Sequence, residues 1–87
     1  MPAKFEVRIS KPAKKSLAKV PIGWRRRIIE AAEGLEGHPF YGVKMYGKWQ
    51  GKRKIIIWPY RIFYVVDKRE RVVKILKIRH RGSTGYK

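Results

Sequence analysis

The C-terminal part of the chain carries side chains that are well suited to phosphate chemistry. Arg79, His80 and Arg81 are consecutive, and Tyr86 follows a few residues later. Arginine offers phosphate a planar, permanently charged fork, histidine exchanges protons near neutral pH, and a tyrosine ring stacks on a nucleobase. No Asp or Glu follows Glu70, so the sequence provides no nearby carboxylate for these cations. The tail is therefore predicted to bind a ligand that contains phosphate.

A second candidate is Arg61, which lies in the otherwise apolar and aromatic segment 60–64. An arginine there must reach an open sheet face or a buried acid, and the chain has only 6 acidic residues. Phosphate binding fits this position because a guanidinium group keeps both its charge and its bidentate geometry. The alternative is a surface arginine whose aliphatic stem covers an aromatic ring.

Lys52, Arg53 and Lys54 form a third group of cations. Neighbouring positive charges disfavour a protonated lysine, so Lys52 or Lys54 is a candidate general base. Alternatively, both are solvated charges that protect an edge strand from aggregation. Two interpretations of His80 also stay open, because its flanking arginines favour the neutral form while strand alternation points it away from both. Tyr86 is either a stacking platform or a terminal anchor.

The composition indicates one small, strongly basic domain. The 87 residues suit a single domain spanning 1–87, with 23 Lys and Arg against 6 acids and a net charge of +17. Such charge repels itself in a compact chain, which favours a polyanionic partner over a merely solubilising surface. The chain has no cysteine and only two, widely separated histidines, so a disulfide, a metal-dependent nuclease site and a cofactor are not expected.

Hydrophobic periodicity predicts the element order β-α-α-β-β-β. Segment 5–9 alternates apolar and charged residues as a half-buried strand does, and Ser10 is positioned to cap the helix that follows. Pro21 separates this helix from a second one, which ends before Pro39. An aromatic loop over 40–51 follows, with a short strand near 43–46. Three further strands are predicted at 52–58, 60–66 and 71–79.

The predicted fold is α+β, an antiparallel sheet with a two-helix hairpin packed on one face. Alternation places Arg61 and Phe63 on one side of their strand, and Lys52 and Lys54 on one side of theirs. In the last strand the same period aligns Ile75, Lys77, Arg79 and Arg81. Because the helices cover one face, the cations are expected on the other. The tryptophans are assigned to core or loop packing: Trp24, Trp49 and Trp58.

Over essentially its full length the chain resembles the RelE/ParE superfamily of bacterial and archaeal toxins. The resemblance rests on the order of elements, on segment 60–64 before a short hairpin, and on segment 78–81 with Tyr86 close behind. RelE-type members are endoribonucleases that cut mRNA in the ribosomal A site. ParE-type members share the fold but inhibit DNA gyrase and lack the nuclease residues.

The resemblance favours the RelE branch, because cations stand at the positions of its site residues. In that branch the ribose 2′-hydroxyl attacks the adjacent phosphate without a metal ion. This implies that Lys52 or Lys54 helps to deprotonate the hydroxyl and that Arg61 holds the phosphate. Arg81 would stabilise or protonate the leaving 5′ oxygen, and Tyr86 would stack on or orient a base. The further predicted RNA contacts are Arg53, Lys77, Arg79 and His80.

The resemblance also implies the partners. These are mRNA, the ribosome and a cognate acidic, RelB-like antitoxin, with the free toxin a monomer and the inhibited form heteromeric. The sequence shows neither an apolar signal region nor a stretch of transmembrane length, so a cytoplasmic protein without membrane association is expected. Two alternatives stay open, a ParE-like gyrase inhibitor and a non-catalytic RNA-binding protein.

Overall fold

A computed structural model of the chain describes residues 4–81, so the predictions made for Tyr86 lie outside the described residues. The elements follow the predicted order, and the short strand expected near 43–46 is present. They are β1 (Glu6–Ile9), α1 (Lys11–Ala18), α2 (Ile22–Gly34), β2 (Val43–Lys44), β3 (Arg53–Ile57), β4 (Tyr60–Asp67) and β5 (Val72–His80). A single 3₁₀ turn over Gly47–Trp49 lies between β2 and β3.

The five strands form one sheet in the order β1-β5-β4-β3-β2. Strands β2 to β5 make the predicted antiparallel meander, and β1 is added beside β5. The β1–β5 pairing is parallel, so the sheet is mixed. A parallel pairing requires a crossover, and here the chain leaves β1 through the two helices before it enters the meander.

The two helices cover one face of this sheet with their apolar sides. Ala13 and Val20 from the first helical segment are buried, and so are Ile28, Ala32 and Leu35 from the second. They form a single core with residues from the covered face of the sheet, namely Ile55, Tyr60, Ile62, Tyr64, Val73, Ile75 and Ile78. We call the opposite side of the sheet the open face.

Ser10 fixes the start of α1 and joins it to the sheet. Its Oγ accepts a hydrogen bond from the Ala13 N–H at 3.2 Å, which confirms the predicted N-cap. The same hydroxyl donates to the carbonyl oxygen of Leu76 at 2.9 Å, and the Ser10 N–H donates to the Ile75 carbonyl. One side chain therefore satisfies a helix terminus and a strand carbonyl together.

Leu76 is the extra residue of a β-bulge in β5. Tyr64 of β4 opposes Ile75 and Phe63 opposes Lys77, which leaves Leu76 without an opposite residue. One inserted residue transfers every later side chain to the other face. The prediction that Ile75 shares a side with Lys77 and Arg79 is therefore wrong. Ile75 belongs to the core, whereas Lys77 and Arg79 lie on the open face, opposite Phe63 and Arg61.

Tyr64 anchors the segment that leads into β2. Its hydroxyl donates to the Pro39 carbonyl at 3.0 Å and accepts from the Gly42 N–H at 2.7 Å. The ring is fully buried, and this burial raises the pKa of the Tyr64 phenol. Gly42 is required here because a Cβ atom would lie 2.6 Å from the Tyr64 hydroxyl and 2.8 Å from the Lys54 carbonyl oxygen.

Candidate nucleic-acid interface

Four cations meet on the open face because three strands hold them in adjacent register positions. Arg61 of β4 lies directly opposite Arg79 of β5. Two residues further along β4, Phe63 lies between Lys54 of β3 and Lys77 of β5. Directly opposed residues have Cβ atoms about 4.5–5.5 Å apart. We call these four residues the cationic cluster: Lys54, Arg61, Lys77 and Arg79.

Within the cationic cluster, Arg61 is the member that lies on β4, the middle strand of the sheet. Its neighbours across the strands are Ile56 and Arg79, it is half-buried, and its Nε atom is inaccessible to solvent. A guanidinium that is partly withdrawn from water interacts more strongly with an anion than one in bulk solvent. Its position therefore suits the predicted phosphate-binding role.

The surroundings of the cationic cluster contain little negative charge. The acidic residues stand in other parts of the chain, namely Glu6, Glu30, Glu33, Glu36, Asp67 and Glu70. Glu6 forms an exposed ion pair with Arg8 at 2.9 Å, and Asp67 accepts a hydrogen bond from the Glu70 N–H in the β4–β5 turn. A polyanion approaching the open face would therefore meet cations without competition from adjacent carboxylates.

An aromatic pair lies among these cations. The ring of Trp49 stacks on that of Phe63, with 6.1 Å between centroids and 24° between planes. Trp49 leaves Phe63 only 7% exposed although Phe63 points to the open face. The Nζ atoms of Lys52 and Lys77 each lie 5.9 Å from the Trp49 ring centroid, which is cation–π distance. Lys52 thus joins the cationic cluster through Trp49.

Sequence reasoning assigned Trp49 to packing and missed its place among the cations. The local sequence did hold a signal, because glycines flank the turn that carries Trp49. Gly47 has φ +68° and Gly51 has φ +91°, a conformation that other residues adopt at a cost. Such a glycine-bounded turn is typical of a loop that presents one side chain at a defined place.

Arg81 lies at the end of β5, beside the turn between β3 and β4. Its backbone N–H donates to the Pro59 carbonyl at 2.7 Å, and its guanidinium carbon lies 4.7 Å from the centroid of the Trp58 ring. Trp58 is 58% exposed, so it too is a surface ring beside a cation rather than a core residue. Arg81 directly follows the last residue of β5 and stands two positions after Arg79, so the cations continue along the chain toward the tail.

Two predicted RNA contacts lie on the other side of the sheet. Arg53 opposes Tyr64, and its Nη1 donates to the carbonyls of Phe40 and Gly42 at 3.1 and 2.8 Å. His80 opposes Tyr60 of the core, with ring centroids 5.1 Å apart and nearly perpendicular. Alternation had already pointed His80 away from its arginine neighbours, and the register bears this out. Arg53 fastens the loop before β2, and neither residue takes part in the open face.

Two further findings concern metal-binding groups and membrane-spanning helices in the described part of the chain. Within residues 4–81 no group of three or more His, Cys, Asp or Glu side chains is placed to hold a metal ion. In the same range, neither helix is long and apolar enough to cross a membrane.

Known structures share this architecture. The toxin–antitoxin complex RelBE2 from Mycobacterium tuberculosis superimposes with a TM-score of 0.83 at 26% identity, over 90% of this chain and 99% of that one. The archaeal RelE–RelB complex from Pyrococcus horikoshii OT3 gives a TM-score of 0.79 at 29% identity, over 93% and 99%. The ParDE system from P. aeruginosa gives 0.71 at 15% identity, over 88% and 96%, which is a likeness of fold alone.

Sequence comparison gives the same family. Curated protein sequences give no match to the chain. A family model described as the ParE toxin of the type II toxin–antitoxin system parDE matches residues 7–84, which is nearly the whole chain. With this match, the shared fold and the basic open face, the chain belongs to the RelE/ParE superfamily of toxins from type II toxin–antitoxin systems.

Proposed function

We propose that this toxin is a RelE-type endoribonuclease that cleaves mRNA in the ribosomal A site without a metal ion. The observation that carries the proposal is the cationic cluster, in which Arg61 and Arg79 oppose each other on the open face. Strand β3 has no acidic residue, and the single acid of β4, Asp67, is the last residue of that strand. A phosphodiester is the natural ligand of two guanidinium groups held side by side. Such a target also implies that the toxin acts in the cytoplasm.

The reaction follows from the chemistry of RNA. The 2′-hydroxyl oxygen attacks the adjacent phosphorus while its proton passes to Lys52 or Lys54. The bond from phosphorus to the 5′ oxygen then breaks, leaving a 2′,3′-cyclic phosphate and a 5′-hydroxyl end. Arg61 stabilises the additional negative charge on the phosphoryl oxygens. Arg81 stabilises the leaving 5′ oxygen, which takes its proton from Arg81 or from water. Tyr86 orients a neighbouring base by stacking.

A cognate antitoxin is the second partner of this surface. The complexes from M. tuberculosis and P. horikoshii are both toxin–antitoxin complexes, and this chain carries a net charge of +17. An acidic, RelB-like antitoxin would neutralise the open face by charge complementarity and so inhibit cleavage. The free toxin is a monomer and the inhibited toxin is a heteromeric complex with its antitoxin.

The experiment is cleavage mapping in a cell-free translation system. Arg61→Ala and Arg81→Ala are each expected to lower the rate of mRNA cleavage by roughly 100-fold or more, because each removes a charge that stabilises the transition state. Arg26→Ala is the matched control, since Arg26 is an exposed arginine of α2 on the covered side of the sheet. Cleavage at the wild-type rate by both Arg61→Ala and Arg81→Ala would refute the proposal.

Gyrase inhibition is the second candidate, and the name of the matching family model favours it. A ParE-like toxin would use the same fold to bind DNA gyrase, without cutting RNA. Supercoiling assays with purified gyrase separate the two candidates. Inhibition of supercoiling together with intact mRNA on translating ribosomes would select the gyrase inhibitor. A non-catalytic RNA-binding protein would show salt-dependent affinity for RNA, but it would neither inhibit supercoiling nor cleave mRNA.

A further inference from the structure

The Trp49–Phe63 pair leaves part of an indole ring exposed, which packing over Phe63 alone does not require. Trp49 covers Phe63, yet the indole remains 37% exposed after doing so. Its exposed ring lies within cation–π distance of the ammonium groups of Lys52 and Lys77 and therefore borders the cationic cluster. We propose that Trp49 is a stacking platform for one unpaired base of the RNA, next to the phosphate held by the cationic cluster. This inference rests on the proposed function, because it assigns a subsite for the same ligand.

The loop that carries Trp49 is rigid by construction. Between β2 and β3 the backbone forms a chain of hydrogen bonds, from Met45 N–H to Lys52 C=O, from Lys52 N–H to Trp49 C=O and from Trp49 N–H to Tyr46 C=O. Gly47 accepts a further bond from Gln50 N–H. A ring held in place before the ligand arrives loses little conformational entropy on binding, which is the condition for an effective platform.

The spacing fits a short stretch of single-stranded RNA. Arg61 and Phe63 are two residues apart on one face of β4, a separation of about 6.8 Å along the strand. A phosphate held at Arg61 is therefore adjacent to a base lying over the ring that covers Phe63. The Lys52 and Lys77 ammonium groups beside that ring then meet the phosphates that flank the base.

Cations interleaved with exposed aromatic rings are the arrangement by which proteins hold single strands, because every base has a π-face and every nucleotide has a phosphate. Single-stranded RNA supplies both groups in each repeating unit, a phosphate for the lysines and a π-face for the ring. We therefore assign this subsite to RNA. Because any base can stack on an aromatic ring, this subsite should raise the affinity for mRNA without adding sequence specificity.

Binding of a short oligoribonucleotide with a 2′-O-methyl group at the cleavage position tests the platform, because such an RNA cannot be cut. Fluorescence anisotropy of a labelled strand gives the Kd at fixed salt. Trp49→Leu keeps an apolar cover over Phe63 but removes the π-face, and it should weaken binding by about 5- to 150-fold. Trp49→Phe should recover most of the affinity. Tyr41→Leu, which removes a 75% exposed aromatic residue from the loop before β2, is the control and should change nothing.

Two further measurements distinguish stacking from a general loss of charge or structure. The slope of log Kd against log salt should stay the same in Trp49→Leu, since no phosphate contact is lost, whereas Lys77→Ala should reduce it by about one. An RNA with an abasic nucleotide at the stacked position should bind wild type and Trp49→Leu equally. Thermal melting of each variant reports whether it remains folded.

Several results would overturn the platform. They are a failure of wild type to bind the oligonucleotide, an unchanged Kd in Trp49→Leu, an equal loss with the abasic strand, or a loss confined to antitoxin binding. The proposed function can fail separately. Trp49-dependent RNA binding without cleavage on the ribosome would refute the nuclease and leave the platform standing. mRNA cleavage by wild type, together with an unchanged Kd for RNA in Trp49→Leu, would support the nuclease and refute the platform.

Discussion

Replacing Tyr64 by phenylalanine tests how the loop before β2 is held. The hydroxyl makes two hydrogen bonds, one donated to Pro39 and one accepted from Gly42, and both partners are buried. Removing it leaves a carbonyl oxygen and an N–H without their partner. Each buried unsatisfied group costs about 1–3 kcal/mol, so the loss is roughly 2 kcal/mol if water replaces one of the two bonds. For a domain of this size that loss lowers the Tm by roughly 8–16 °C.

The assay is chemical unfolding of wild type and Tyr64→Phe, followed by far-UV circular dichroism. Tyr41→Phe is the matched control, because that ring is 75% exposed and its hydroxyl has access to water. The midpoint should fall in Tyr64→Phe and stay constant in Tyr41→Phe, with an unchanged slope in both. Equal midpoints for the two variants would contradict the claim that the Tyr64 hydroxyl anchors this loop.

Gly42→Ala sharpens the same test through a different atom. An added Cβ would meet the Tyr64 hydroxyl at 2.6 Å and the Lys54 carbonyl oxygen at 2.8 Å, so the loop must move away from the sheet. Combining it with Tyr64→Phe removes the clash with the hydroxyl. It leaves the clash with the Lys54 carbonyl oxygen and a third one, with the ring carbon Cε1 of residue 64 at 2.8 Å, which phenylalanine keeps. The double variant should therefore be less stable than Tyr64→Phe alone and should show measurable coupling between the two positions. Strict additivity would mean that the two groups do not touch.

Three further predictions concern other parts of the molecule. The raised pKa of Tyr64 means that the unfolded chain releases this proton first, so wild-type stability should fall as the pH rises above 10.0, and less so in Tyr64→Phe; pH-dependent unfolding midpoints measure this. Ser10→Ala should lower the free energy of unfolding by about 1 kcal/mol through the lost cap, and by a further amount because the Leu76 carbonyl loses its hydrogen-bond donor. Ser10→Asp should restore the cap alone, because an ionised carboxylate cannot donate to Leu76; unfolding curves separate the two. Antitoxin at about 1,000 times its Kd should raise toxin stability by about 4.1 kcal/mol in thermal melts, and an unchanged Tm would argue against the complex.

The elements of this fold were predictable because local chemistry specifies each of them. Ser10 was placed to cap the first helix and is the observed cap, and Pro21 separates the two helices as the sequence indicated. The strands followed from period-2 alternation and from the turns at Pro59 and over 67–70. These features depend on neighbours in sequence, which a single chain displays directly.

The composition of the site was only partly predictable, because it depends on register between strands. Alternation alone paired Ile75 with Lys77, and the bulge at Leu76 reverses that. Two adjacent apolar residues, Ile75 and Leu76, interrupt the alternation and are the local trace of this bulge. The role of Arg53 was beyond reach for another reason, since its partners are carbonyls of a loop more than ten residues earlier.

The bulge explains how β5 serves two faces with one sequence. Before Leu76, the strand must bury Val73 and Ile75 against the helices. After it, Ile78 must continue that core while cations face outward. In a strand without the bulge, burying Val73 and Ile75 would bring Lys77 and Arg79 into the same core, where unpaired charges are strongly disfavoured. The extra residue resolves this conflict, and its carbonyl oxygen accepts the hydrogen bond that the Ser10 hydroxyl donates. The helix cap, the bulge and the cationic cluster are thus linked through Ser10 and Leu76. A substitution at Ser10 should therefore also displace the cations of β5 on the open face, although Ser10 itself lies at the start of α1.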